Sequence, residues 1–238
     1  MLDRLQKIRQ AEAESHTEAY KENNLFAAGS WLAKPVKTVL DLFPLFDGYR
    51  EIHVLDLGCG VGRNCIPAAK AFSSVSCRVD CVDILDFAIE KLLDNAEKFG
   101  VSDQICGVVS SIDDYEIQDS SYDLIMAISA LEHVDSEKTF RKKLGEIYDG
   151  LRSEGIACLI VNSGIRERDK VSGAELLPQF EVNMSTETLR AALEHTFSGC
   201  EIIKHTVVHQ KYDIPREGGI SELDADVVTW VVRKGNHG

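Results

Sequence analysis

The chain has 238 residues, of which 44% are hydrophobic and 27% charged, with 5 prolines and 17 glycines. That composition is globular and excludes a disordered or collagen-like chain, and the length suffices to bury a large core without disulfides or metal. Lys+Arg is 26 against Asp+Glu at 39, a net charge of −13. This excludes non-specific binding to nucleic acid or to an anionic membrane surface, both of which need a basic face.

In chain order, residues 1–24 are Ala/Glu-rich with apolar residues at 2, 5 and 8, and predict a helix. The Ser15-x-x-Glu18 capping box predicts a restart, and Asn23-Asn24 a stop. Residues 30–43 predict a second helix entered by Pro35 in its first turn. Short apolar runs then alternate with helical patterns. Strands are expected at 52–57, 76–83, 105–109, 122–128 and 155–161, and helices at 62–72, 85–98 and 135–151. Such alternation predicts βαβ units and a parallel sheet covered on both faces. Pro67 predicts a kinked or loose start to the helix at 62–72. Residues 162–184 show no clear period and read as a long loop. A helix at 185–197 opens on Ser185. Two final strands, 200–209 and 225–233, flank a second long loop at 210–224. Segments that long at strand ends suit substrate recognition, which makes Arg166, Tyr212 and Arg216 candidates by location.

The seven cysteines (Cys59, Cys65, Cys77, Cys81, Cys106, Cys158 and Cys200) are odd in number and contain no C-x-x-C pair. Several sit in apolar runs, which fits free thiols in a reducing, cytoplasmic setting and neither a disulfide framework nor a metal site. The N-terminus is charged from its third residue and shows no signal peptide. The longest apolar stretch, LIMAISAL, is far short of the ~20 residues of a membrane span. The spacing suggests one domain.

The segment with most chemistry is Val54-Leu-Asp-Leu-Gly-Cys-Gly-Val-Gly-Arg63. A strand ends in Asp56 and runs into glycines at alternate positions, where the backbone turns and lets a ligand approach without meeting a Cβ. Dinucleotide enzymes space these glycines G-x-G-x-x-G; here the pattern is G-x-G-x-G. Asp83 ends the next strand, where a carboxylate can accept from both hydroxyls of a ribose. Residues 121–134, SYDLIMAISALEHV, form a strand and turn. Together these segments resemble the class I S-adenosylmethionine (SAM)-dependent methyltransferases over roughly 50–162, with a narrower likeness of G-R-N and QFEVNMSTETL to the small bacterial tellurite-resistance-type branch.

The resemblance implies a Rossmann-like α/β fold, a doubly wound and mostly parallel sheet with an antiparallel last strand. Residues 1–44 form a helical cap, 50–162 the cofactor core and 163–238 the substrate side. It places SAM, and its product S-adenosylhomocysteine (SAH), against Asp56, Gly58, Cys59, Gly60, Arg63 and Asn64 at the methionine end. Asp83 and Ile84 fall at the ribose, Ser111 and Ile112 at the adenine, and Ser129 under the methionine chain. The family usually has Asp at the Ser111 position, so Asp113 is the alternative there. Arg63 is either a partner for the carboxylate or a solvated helix-start residue.

The implied activity is in-line methyl transfer to a small molecule; a protein acceptor, a SAM-binding regulator without turnover and an NAD-dependent oxidoreductase are the competing readings. No metal is implied. His133, whose imidazole titrates near neutrality, is the best candidate base, against a packing role. Tyr20 is a second catalytic candidate, again against packing. Trp31 reads as core, Asp80 and Asp86 as surface residues, and the basic run at 137–143 as a solvated helix face.

Overall fold

A computed structural model describes residues 4–216 and 219–236. Five parallel strands form in the expected places: β1 (Glu51–Leu57), β2 (Ser76–Asp83), β3 (Ile105–Val109), β4 (Tyr122–Ile128) and β5 (Leu151–Asp169). A two-residue strand β6 (Glu175–Leu176) pairs with β5, and the chain closes with β7 (Glu201–Arg216) and β8 (Gly219–Arg233). The sheet order is β3-β2-β1-β4-β5-β8-β7, with β8 antiparallel to both its neighbours. This is the expected doubly wound, mostly parallel sheet.

The central strands are apolar almost throughout because both faces are covered; six of the seven β4 residues are buried. On one face Val54 and Leu124 pack with residues of α2 (Lys37–Leu42), α3 (Cys65–Ala71) and α4 (Asp86–Phe99). On the other, Leu55, Leu57 and Ile125 pack with α5 (Glu137–Gly150) and α6 (Thr186–Thr196). Ser136 and Ser185 cap α5 and α6 by accepting from Thr139 N and Thr188 N.

Four sequence expectations need correction. The first helix, α1 (Arg4–Glu22), runs through Ser15 without a restart; its first three expected residues lie outside the described range. The second breaks into a single 3₁₀ turn, Trp31–Ala33, and a short α2, because Pro35 holds Lys34 extended. The first expected loop begins as strand, and the second is strand through most of its length. β5 runs on to Asp169, and β7 and β8 form a long hairpin paired from Glu201 to Gly219, with residues 217 and 218 outside the described range. The period-two pattern is present but disguised: Ile165 and Glu167 are buried while Arg166 and Arg168 are exposed, so a charged residue occupies an inward position. Glu167 is tolerated there because Arg216 forks onto it at 2.8 and 3.1 Å. Finally, α3 starts late enough that Pro67 falls at its third position, where no intrahelical bond is lost; no kink is required.

Candidate active site

The carboxyl ends of β1, β2, β3 and β4 open onto one cavity of about 260 Å³. At the end of β1 the chain turns sharply. Gly58 N and Cys59 N both donate to the Val82 carbonyl, at 2.8 and 3.0 Å, which staples the turn onto β2. Gly58 and Gly60 have φ of +72° and +52°. A Cβ on Gly58 would lie 2.5 Å from the Ala130 Cβ, and one on Gly60 would lie 2.7 Å from the Tyr20 hydroxyl. Both the backbone conformation and the close approach therefore require glycine.

Asp83 is 9% exposed at the end of β2. Its Oδ2 accepts from Gly60 N at 2.8 Å and its Oδ1 from Leu85 N at 3.0 Å. Burial pushes its carboxyl up, and the Leu85 and Gly60 amides oppose that by stabilising the anion. Each oxygen retains acceptor capacity for a further donor.

The cavity brings together Tyr20, Gly58, Asp83, Ile84, Ser111, Ile112, Ser129 and His133. Ile84 is half exposed beside Asp83. Ser129 holds a left-handed φ of +51°, with its amide donating to the Ile160 carbonyl. Ser111 Oγ donates to Asp114 Oδ2 at 2.7 Å and so closes its own turn. Asp113 also lines the cavity; its carboxylate pairs with Arg9 and accepts from Asp135 N.

Five other expected residues do not line it. Gly60 contributes its amide to Asp83. Asp56 lies beneath the turn at 2% exposure, hydrogen-bonded to Cys65, with Oδ2 lacking a partner; burial pushes its carboxyl up to about 7. The Cys59 thiol donates to the Gly60 carbonyl and is pushed up by burial to about 12. Arg63 Nε donates to the Lys34 carbonyl at 2.8 Å, and its guanidinium lies over Trp31. Asn64 Oδ1 accepts from Val36 N at the start of α2. Trp31 is 48% exposed rather than core. Asp80 is buried, accepting from His53 or Arg78 on either oxygen. Within the basic run Lys143 is buried and donates to the Tyr115 carbonyl.

One wall of the cavity is helix α1. Arg9, Glu12, Ala13, His16 and Tyr20 follow a helical spacing that puts them on one face, towards the cavity. His133 ends a short 3₁₀ turn after β4. Its Nδ1 lies 3.0 Å from Glu181 Oε2 and 3.2 Å from Glu12 Oε2, and its ring stacks on Phe180 at 5.4 Å between centroids. Burial alone would push the imidazole down. The hydrogen bond to Glu181 and the charges of Glu12 and Glu132 outweigh it and raise His133 to about 9. The carboxylates that meet at Nδ1 thus favour its cationic form, which opposes action as a general base.

Tyr20 is held protonated by burial and by the charge of Asp83. His16 is pushed down by burial and by His133, and stays neutral. Glu132 is 1% exposed; Oε1 accepts from Asn162 N and Nδ2, while Oε2 has no partner among the described residues.

Sequence reasoning missed Arg9, Glu12, His16, Phe180 and Glu181. The α1 residues had a signal, since 9, 12 and 16 share a helix face with Tyr20. Phe180 and Glu181 lie in the 162–184 segment and in the QFEVNMSTETL stretch, but nothing local singled them out, because only the tertiary fold brings that segment over the end of β4. Of the three candidates chosen by location, Arg216 is spent on Glu167, and Arg166 pairs with Asp224 on the opposite face of β5. Tyr212 feels the charges of Glu132 and Glu12. Among the described residues, no group of three or more His, Cys, Asp or Glu side chains could hold a metal ion, and no helix is long and apolar enough to cross a membrane.

A family profile for the methyltransferase domain matches residues 54–155, the segment from β1 into β5 that builds the glycine turn and Asp83. Over that segment the chain is similar to the SAM-dependent methyltransferases. Two curated relatives are ajmaline N-methyltransferase of Rauvolfia serpentina and the O-methyltransferase rstn1 of Aspergillus nomiae. The first is 27% identical over 54% of this chain and 42% of its own length, the second 24% over 66% and 68%. The chain thus spans less than half of the first. TehB from Haemophilus influenzae shares the fold at a TM-score of 0.62 and 17% identity, over 94% of this chain and 67% of that one. A SAM-dependent methyltransferase from Methanosarcina mazei does so at 0.59 and 16%, over 84% and 99%. The chain shares the fold of these structures and adds an α1 wall that bears ionisable side chains.

Proposed function

We propose that the protein transfers a methyl group from SAM to a small-molecule acceptor, with residues 1–44 capping one catalytic unit. The observation that carries this reading is the meeting of the glycine turn and Asp83 with the ionisable face of α1 around one cavity. The residues suit the cofactor: Gly58 lines the cavity and brings bare backbone to it, and Asp83 offers two oxygens with spare acceptor capacity. Asp56 adds a buried oxygen without a partner beneath the turn.

Bound SAM supplies the methyl as an electrophilic carbon on a sulfonium. The chain's part is alignment and the exclusion of water. Asp83 would hold the two ribose hydroxyls with Ile84 beside them, Ile112 would give apolar contact to the base, and Ser129 and the glycine turn would border the methionine chain. Helix α1 closes the opposite side, tied down by Arg9 on Asp113 and by Glu12 on His133. A cavity roofed in this way favours a small acceptor over a polypeptide, and the two curated relatives are N- and O-methyltransferases by name. Seven free cysteines suit a reducing, cytoplasmic compartment.

A thermal-shift titration tests the reading. SAM and SAH raise the melting temperature, because a ligand that binds only the folded state stabilises it by mass action, and NAD does not. A shift with NAD and none with SAM or SAH overturns it.

A further inference from the structure

Among the described residues, nearly every ionisable side chain that lines the cavity is engaged. Arg9 holds Asp113, Glu12 and Glu181 meet at His133, and Asp83 accepts the Gly60 and Leu85 amides. His16 and Tyr20 line the same cavity and make no hydrogen bond or ion pair with a described residue. The Tyr20 hydroxyl is held protonated by burial and is no base. His16 is different, because a neutral imidazole always presents one nitrogen with a lone pair. Its ring is held by two other rings, tilted on Tyr20 at 5.6 Å between centroids and edge-on to Trp31 at 6.2 Å.

Position on α1 places that nitrogen. His16 stands one turn from Tyr20 and one turn from Glu12, on the same helix face. Tyr20 abuts the glycine turn, since a Cβ on Gly60 would lie 2.7 Å from its hydroxyl, and Glu12 reaches His133 after β4. His16 therefore faces the stretch of cavity between the ends of β1 and β4, which Gly58 and Ser129 border.

Resting on the methyltransferase reading above, we propose that His16 is the general base of the reaction and that the acceptor is a phenol whose hydroxyl donates to it. Burial and the charge of His133 hold the imidazole below its ordinary value, which keeps its lone pair free at neutral pH. A base serves only an acceptor that still carries its proton, which a thiolate or carboxylate does not. A phenol releases its proton at about 10, within reach of an imidazole at about 6.5. An alkyl alcohol resembles water, at about 16, and lies beyond it. The phenol's O–H proton passes to the His16 nitrogen. Its oxygen forms the C–O bond as the methyl's bond to sulfur breaks, with the bonding pair staying on sulfur. The products are an aryl methyl ether, a thioether and a His16 imidazolium, so the sulfonium's charge ends on His16, which returns the proton to water when the product leaves.

The first arm of the test uses the whole protein saturated with SAH and measures binding by calorimetry at about pH 8. The probes are 4-ethylphenol against 4-ethylanisole, and 2-naphthol against 2-methoxynaphthalene. SAH lacks the transferred methyl, so the ether's extra carbon has room and each pair differs in the hydroxyl proton. In at least one pair the phenol binds about 2- to 12-fold tighter, the size of one neutral hydrogen bond. His16→Phe keeps a ring beside Tyr20 and Trp31 and removes that preference; it keeps its SAH affinity, which shows that it is folded. The second arm follows single turnovers with SAM. His16→Phe slows methylation of the preferred phenol by about 10²- to 10⁴-fold and leaves that of 2-naphthalenethiol, mostly thiolate at this pH, within about threefold. A merely structural role would slow both alike. Equal affinity in both pairs, a preference that survives His16→Phe, no methylation of the phenol or the thiol, or equal slowing of the two overturns the inference alone. A wild-type protein that binds no SAH overturns the cofactor reading and this inference with it.

Discussion

Replacing Asp83 by Asn tests the cofactor site at one carboxylate. Each Asp83 oxygen accepts one backbone amide, from Gly60 at 2.8 Å and Leu85 at 3.0 Å, and keeps capacity for one ribose hydroxyl. Asparagine retains a single oxygen and no charge. A hydrogen bond to a charged acceptor contributes about 1.5–3 kcal/mol and one to a neutral acceptor about 0.5–1.5 kcal/mol. One ribose bond therefore weakens by about 1–1.5 kcal/mol and the other is lost, a total of about 2.5–4.5 kcal/mol. At 1.4 kcal/mol per factor of ten, SAH affinity falls by about 60- to 1,600-fold. Calorimetric titration with SAH measures it, and a melting curve without ligand shows that the variant is folded. Asp80→Asn is the control: that carboxylate is also buried on β2, but it serves His53 and Arg78 and lines no part of the cavity. It should lower stability and leave SAH affinity unchanged. A folded Asp83→Asn protein that binds SAH within about threefold of wild type would refute the reasoning, since no account of two charge-assisted bonds yields so small a loss.

Gly60→Ala places a Cβ 2.7 Å from the Tyr20 hydroxyl at a left-handed φ, so it should weaken SAH binding and lower the melting temperature. Adding Tyr20→Phe should restore part of the stability by removing the clashing oxygen, and a double-mutant cycle with no coupling would contradict this. His133 has a folded-state value of about 9 against an ordinary 6.5. A raised histidine contributes stability that is fully present below its unfolded value and is lost as pH rises through the folded one. The stability gap between wild type and His133→Gln, measured by urea denaturation, should accordingly be widest at or below pH 6.5 and close by about pH 10. Cys59, Cys65, Cys81 and Cys158 are buried, whereas Cys77, Cys106 and Cys200 are partly open. A thiol reagent should therefore modify three cysteines in the native protein and all seven only after denaturation.

The sequence reading and the structure agree where local pattern and burial say the same thing. β2, β3 and β4 fall within the predicted limits to the residue, because an apolar run bounded by turn residues has one way to sit in a parallel sheet. The glycine turn and Asp83 were legible for a related reason, since their chemistry is carried by backbone geometry and by position at a strand end. The α1 wall was only half legible: Tyr20 was marked, but its helix neighbours Arg9, Glu12 and His16 were not.

What the sequence by itself determined was the alternation of strands and helices, the glycine turn and the acid that follows it, all set within short stretches of chain. Tertiary structure decided the rest. It extended β5 into one expected loop and closed the other into the β7–β8 hairpin, because a buried Glu167 on β5 escapes hydrophobic periodicity and becomes tolerable only when Arg216 of β7, 49 residues away, folds onto it. It also settled the character of His133. An imidazole that ordinarily titrates near neutrality is held as a cation because α1 and the segment before α6 bring Glu12 and Glu181 to its Nδ1. Charge in a pocket is a sum over groups distant in sequence, and only the folded chain places them within a few ångströms of one another.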